Sequence, residues 1–323
     1  MIVDTHVHVC AFTDRHGWTS ARLLKTLPFR FMRWRLGMTG ADERTERQVE
    51  QTLAGAIDDT PELDAAVVLA FDAVHAPDGK LDPGRTHLYV KNDYVIELCR
   101  RQPKMLFAAS VHPYRSDAIA EIDRCVAAGA VLMKWLPIVQ GFNPADDRCL
   151  PFYEALARHK LPLLSHTGGE KTLIRVNDAF ADPALLEPAL KLGVTVIAAH
   201  CGSRSTFFET DYVDTFVRLV HQYPNLYGDT AALNLPTRNH AYRKILADPL
   251  VPSRLVHGSD WPVPPIPPLS IGLPEAWQLM GDPNWLRRDL RIKQRLGFDR
   301  DYWDRAGTIL RLPRSAEDLH VPD

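Results

Sequence analysis

Cysteine is scarce in this 323-residue chain, and Cys10, Cys99, Cys125, Cys149 and Cys201 form no C-x-x-C pair. An odd, scattered set argues against a disulfide framework and fits a reducing cytoplasm. No apolar run approaches the ~18–20 residues of a membrane span. The chain opens on an apparent strand rather than a basic stretch followed by an apolar one, so neither export nor membrane insertion is expected. An excess of one charge is missing too. Lys and Arg number 38 against 40 Asp and Glu, and the formal net charge of −2 removes any global bias toward nucleic acid or a membrane surface. No internal repeat or low-complexity tract occurs, and the glycine fingerprint of a dinucleotide-binding first turn is absent. What remains is an ordinary globular composition, 46 % apolar and 24 % charged, whose partner must be read from a site.

Eight short β-branched or apolar runs are present: 2–9, 65–72, 105–112, 130–136, 161–166, 194–200, 226–232 and 254–260. After the second, they start 25 to 40 residues apart, the length of a strand, a crossover helix and a return strand. Helical patterns fill the gaps. Phe208, Tyr212, Phe216 and Leu219 make one apolar stripe within 205–223, 151–159 carries Pro151 in its first turn, and 115–128 stops at Gly129. Eightfold alternation predicts a (β/α)8 TIM barrel, with a doubly wound open sheet as the structural alternative. The first interval, 63 residues, predicts an insertion over about 10–45 at the barrel mouth. A stiff PVPPIPP loop follows strand eight, and a C-terminal extension runs from about 283 to 323, helical to about 312. The whole chain, 1–323, reads as one domain.

In such a barrel, polar groups at the C-terminal ends of strands face the active site. Strand one carries Asp4, His6 and His8 on alternate positions, which predicts one polar face opposite Val3, Val7 and Val9. Strand four carries Lys134, strand five ends at His166, strand six at His200 and strand eight at Asp260. Each has a plainer reading alone: a surface lysine, capping or loop histidines, a turn-initiating aspartate. Their joint placement on five strand ends points to a metal site. Neutral imidazoles and a carboxylate suit zinc, manganese or iron, and an open coordination position lowers the pKa of bound water toward ~7. Asp260 is then both a ligand and the group that accepts the water's proton. A protonated lysine cannot be a ligand, so Lys134 is either carboxylated by CO2 or touches substrate as a cation.

The motifs DTHVH, MKW, SHTG, AAHCG and GSDWP together resemble the amidohydrolase superfamily of metal-dependent barrels, specifically its amidohydrolase-2 branch, over about 1–262. The resemblance implies that His6, His8, His166 and Asp260 hold a divalent metal. It makes His200 a second-metal ligand or a substrate-polarising and proton-transfer group. Lys134 stands where two-metal members carry a bridging carboxylated lysine. Decarboxylases of the branch often follow the strand-five histidine with a Pro-Trp type motif, whereas His166 is followed by Thr-Gly-Gly-Glu.

The expected activity is therefore hydrolysis of an amide, ester or lactone in a small, carboxylated substrate. Non-oxidative decarboxylation or hydration of an aromatic or unsaturated acid is the alternative, and a non-catalytic binding barrel a distant one. His112 and Arg204 are candidate substrate contacts, with a strand-end turn and a solvated arginine as the plainer readings. Trp135, His257 and Cys201 are read as structural. The segment 15–35 holds Arg15, Arg22, Lys25, Arg30, Arg33 and Arg35 and no acid. It reads as a lid whose cations hold an anionic substrate, as a solvated face packed by its aromatics, or as a basic surface for a partner. A homodimer is the default assembly.

Overall fold

The computed structural model describes residues 1–313. Eight strands lie side by side in chain order, every pair parallel: β1 Val3–His8, β2 Ala65–Leu69, β3 Met105–Ala109, β4 Leu132–Trp135, β5 Leu163–His166, β6 Val196–Ala199, β7 Leu226–Asp229 and β8 Leu255–Val256. Each falls inside a run predicted from the sequence. The ring closes through Thr5 N–H on the His257 carbonyl at 3.0 Å and His8 N–H on that of Trp261 at 2.8 Å. Helices fill the crossovers, as expected for a (β/α)8 barrel.

Strand alternation sorts the core into two shells. Val3, Val67, Leu69, Leu106, Leu132, Leu164, Ile197 and Val256 fill the barrel interior. Val7, Val68, Phe107, Met133, Trp135, Leu163 and Val196 face the helices. Trp135 is thus in the outer shell, and Lys134 between Met133 and Trp135 points inward. The expected single face for Asp4, His6 and His8 is corrected by β1 itself. Asp4 pairs with Ala66 but Val7 with Val68, so one extra residue bulges between them. The bulge flips parity: Asp4 goes outward with Ala66, while His6 and His8 go inward.

The long first crossover contains the short strand Gly17–Thr19, which pairs antiparallel with Leu88–Val90 of the second crossover, then helices Leu27–Arg35 and Glu43–Asp58. Asp42 caps the latter by accepting the N–H of Thr45 at 2.9 Å, and Glu43 and Glu46 sit in its first turn, where the helix dipole favours them. The helix expected over 205–223 is instead Val213–Gln222. Glu209 accepts the N–H groups of Ser205 and Thr206, both at 2.8 Å, so that stretch becomes a turn that leaves Phe208 fully exposed. The C-terminal extension forms Leu273–Met280, Trp285–Arg295 and Arg300–Ile309; its last residues, 314–323, lie outside the described part. Among the described residues no helix is long and apolar enough to cross a membrane.

Candidate metal centre

Three donor atoms meet at the mouth of the barrel. His6 Nε2 lies 3.1 Å from His8 Nε2, His8 Nε2 lies 3.1 Å from Asp260 Oδ1, and His6 Nε2 lies 3.3 Å from the same oxygen. Each position has a local cause. The β1 bulge turns both imidazoles inward, and the Asp260 N–H donates to the His6 carbonyl at 2.8 Å, stitching strand eight's end to strand one. Asp260 has a φ of +64°, a left-handed conformation that re-aims its carboxylate after the strand has ended. From behind, Asp4 Oδ1 accepts the N–H groups of His6 at 3.0 Å and Ser259 at 2.9 Å.

Protonation states follow from the partners. His6 Nδ1 is 2.7 Å from Asp229 Oδ2 and donates to it, which leaves Nε2 with a bare lone pair. Burial, then the Lys134 charge, holds His6 well below the usual imidazole range, so it is neutral. The bare His6 lone pair, the His8 ring nitrogen and a carboxylate oxygen in mutual contact make a donor set for a cation. Separations of 3.1–3.3 Å are those of donors each ~2.0–2.1 Å from a common tetrahedral centre, so the set fits a zinc-sized divalent ion. This is the one group of three His, Cys, Asp or Glu donors within 4.8 Å of one another among the described residues.

The other predicted residues divide into neighbours of this cluster and residues apart from it. Lys134, 1 % exposed, brings Nζ to 3.1 Å from His6 Nε2, and burial lowers its pKa to about 8. His200 is turned inward by a φ of +60°, and its ring centroid lies 5.3 Å from that of His6. Its Nδ1–H donates to the Ala231 carbonyl at 2.8 Å; burial keeps the ring neutral, so Nε2 carries a lone pair rather than a proton. His166 packs edge-on against His200 at 4.9 Å between centroids, with Nε2 3.2 Å from the Gly169 carbonyl. Neither His166 nor His200 joins the three-donor cluster.

His112 and Arg204 stand apart. His112 is fully buried, its Nδ1 accepting the Tyr114 N–H at 3.1 Å and its Nε2 facing the Gln140 carbonyl at 3.2 Å. Arg204 sits over the Phe207 ring, 5.8 Å from its centroid. Neither lines the cavity above the cluster, which takes in His6, His8, His166, His200 and Asp260.

The basic segment also departs from expectation. Helix Leu27–Arg35 does cover the cavity, but it turns Phe29 and Met32 toward it, with Leu36 and Met38 beyond. Helical periodicity then sends Arg30 to solvent. Arg33 binds the Gly40 carbonyl at 3.3 Å, and Arg35 reaches the Pro283 carbonyl at 2.6 Å and stacks over Trp285. The lid is apolar on its inner side, and its cations do not reach the cavity.

Sequence reasoning missed three residues. Asp229, at the end of strand seven in LYGDTAA, accepts from His6 Nδ1 and from the N–H groups of His200 and Ala231; burial raises its pKa to about 7. Its place on a strand end was the available signal. Arg238 is buried and donates to the Gly169 carbonyl at 2.6 Å and the Ser203 carbonyl at 2.6 Å, fixing the turns after His166 and His200. Glu170 lines the cavity while accepting the N–H groups of Thr172 and Leu173. Nothing local in sequence marks those two.

A family model described as Amidohydrolase matches residues 3–288. Among curated proteins, none matches the chain. Solved structures match in fold. A probable 2-pyrone-4,6-dicarboxylic acid hydrolase from Acinetobacter baumannii, with citric acid bound, is 15 % identical over 96 % of this chain and 99 % of its own, with a TM-score of 0.58. An uncharacterized TIM-barrel protein from Bordetella bronchiseptica is 18 % identical over 92 % and 99 %, at 0.57. A 2,6-dihydroxybenzoate decarboxylase complexed with 2,6-dihydroxybenzoate is 13 % identical over 97 % and 100 %, at 0.53.

Proposed function

The chain belongs to the amidohydrolase family, and from that premise we propose that it is a metal-dependent hydrolase that cleaves an amide, ester or lactone bond in a small molecule. The observation that carries this reading is the meeting of His6 Nε2, His8 Nε2 and Asp260 Oδ1 within 3.3 Å at the base of a cavity. These three residues hold the ion, zinc by donor type, with manganese or iron as substitutes. When bound, a divalent cation supplies polarisation of the scissile carbonyl and a lowered pKa for water.

The chain's own groups move the protons. Asp260, 13 % exposed in its side chain, is open to the cavity and accepts the proton of the attacking water. The water oxygen bonds to the carbonyl carbon, the C–N or C–O bond breaks, and Asp260 returns the proton to the departing nitrogen or oxygen. His200 presents a lone pair rather than an N–H to the cavity, which suits a second proton acceptor or a ligand and not, in its neutral form, an oxyanion donor. Lys134 is placed for carboxylation: its amine touches the ligand set, and with a pKa of about 8 a useful fraction is unprotonated near neutrality. A carbamate there would supply an anionic oxygen to the site, and His166 and His200 would be the candidate ligands of a second ion.

A panel of amides, esters and lactones, assayed for acid release and for CO2 in parallel, tests the reaction. Hydrolytic products that disappear on chelation support the proposal, and CO2 as the product overturns it in favour of decarboxylation.

A further inference from the structure

The cavity above the donor cluster is lined by both polar and apolar groups. Its floor is the donor cluster with His166, His200 and Glu170; its walls and roof include Phe29, Met32, Leu36, Val49, Leu136 and Leu173. No Arg or Lys lines it among the described residues. The cations of 15–35 are committed elsewhere or exposed: Arg15 pairs with Glu97 at 2.8 Å, Arg35 is held by Pro283 and Trp285, and Arg30 faces solvent. Among the described residues, the acidic side chain lining the cavity outside the cluster is that of Glu170. A substrate carboxylate remote from the reacting bond finds no partner here and loses its hydration on entry, whereas a hydrocarbon or aryl group is buried favourably.

We propose that the substrate is neutral beyond its scissile group and carries an apolar body, a medium-length acyl chain or an aryl ring, lodged under the helix Leu27–Arg35. The inference rests on the hydrolase reading for where the scissile bond sits. The apolar body fills the space between Phe29, Met32 and Leu136, and the Glu170 carboxylate beside His166 offers an anion no partner. Helix Leu27–Arg35 is thereby a specificity element whose inner face selects the substrate, while Arg30, Phe31 and Trp34 lie exposed on its outer side.

The test pairs two readouts on the full chain. Binding of butanamide, hexanamide and octanamide, and of the same chains ending in a carboxylate, is measured by calorimetry; hydrolysis of the corresponding 4-nitrophenyl esters is measured on the metal-loaded protein. Affinity and kcat/KM should rise about fourfold per buried methylene. The terminal carboxylate should lower both at least about tenfold, and Met32→Lys should shrink that gap. Equal or better binding of the carboxylated chains, or no dependence on chain length, overturns the inference even if hydrolysis is observed. Chain-length preference in binding without cleavage of any ester, lactone or amide leaves the substrate class standing and removes the hydrolase reading.

Discussion

Asp229 accepts the Nδ1–H of His6 across 2.7 Å, and that contact decides which nitrogen of His6 is bare toward His8 and Asp260. A ligand imidazole held this way is fixed in tautomer and in ring angle. Asp229→Asn should weaken metal binding about 10–100-fold while the protein stays folded. Competition against a chelator of known affinity measures it, and unchanged affinity would show that His6 needs no such orientation.

Lys134 and His6 give the second prediction. With Nζ 3.1 Å from His6 Nε2, a carbamate on Lys134 should give a carbon-13 resonance after equilibration with labelled bicarbonate, absent in Lys134→Met. The variant should hold less metal and lose most turnover. If it keeps both and no carbamate signal appears, Lys134 is a structural amine.

A third concerns the helix behind the site. Lys293, fully buried on helix Trp285–Arg295, donates to the Gly258 carbonyl at 2.6 Å and to Asp289, so it braces the turn that delivers Asp260. Lys293→Met strands the Asp289 charge and should cost about 3–5 kcal/mol in urea unfolding, with much of it recovered by adding Asp289→Leu. A single-variant loss below about 1 kcal/mol would mean the pair contributes little.

Acid sensitivity can be assigned to a residue outside the metal cluster. Burial lowers the pKa of His112 from 6.5 to about 3, so below pH 6.5 the unfolded chain binds a proton that the folded chain refuses. Stability from this group therefore falls as pH drops from about 6.5 toward about 3, at about 1.4 kcal/mol per pH unit. His112→Gln keeps a donor and an acceptor without titrating. Its unfolding free energy should decline less steeply than that of the wild type between pH 6.5 and 4.5; parallel slopes would contradict the assignment.

All eight strands were legible because β-branched runs at crossover spacing are a local signal that barrel topology repeats. His6, His8 and Asp260 were legible for a related reason: position at a strand's end already says which way the mouth lies. Orientation was not. The β1 bulge and the left-handed conformations of His200 and Asp260 change where a side chain aims without any mark in residue type. Asp229 and Arg238 act on groups remote in sequence, and the inward turn of Phe29 and Met32 depends on how the lid helix lands.

We propose that His6, His8 and Asp260 hold the ion on which turnover depends. Metal analysis of the purified protein, repeated after chelation and on His8→Ala, tests it most directly when each sample is also assayed on the same hydrolysable substrate. The wild type should hold about one or two divalent transition-metal ions per chain, lose metal and activity together on chelation and regain both with zinc or manganese, and His8→Ala should be depleted and inactive. Full turnover by rigorously metal-free protein would contradict it.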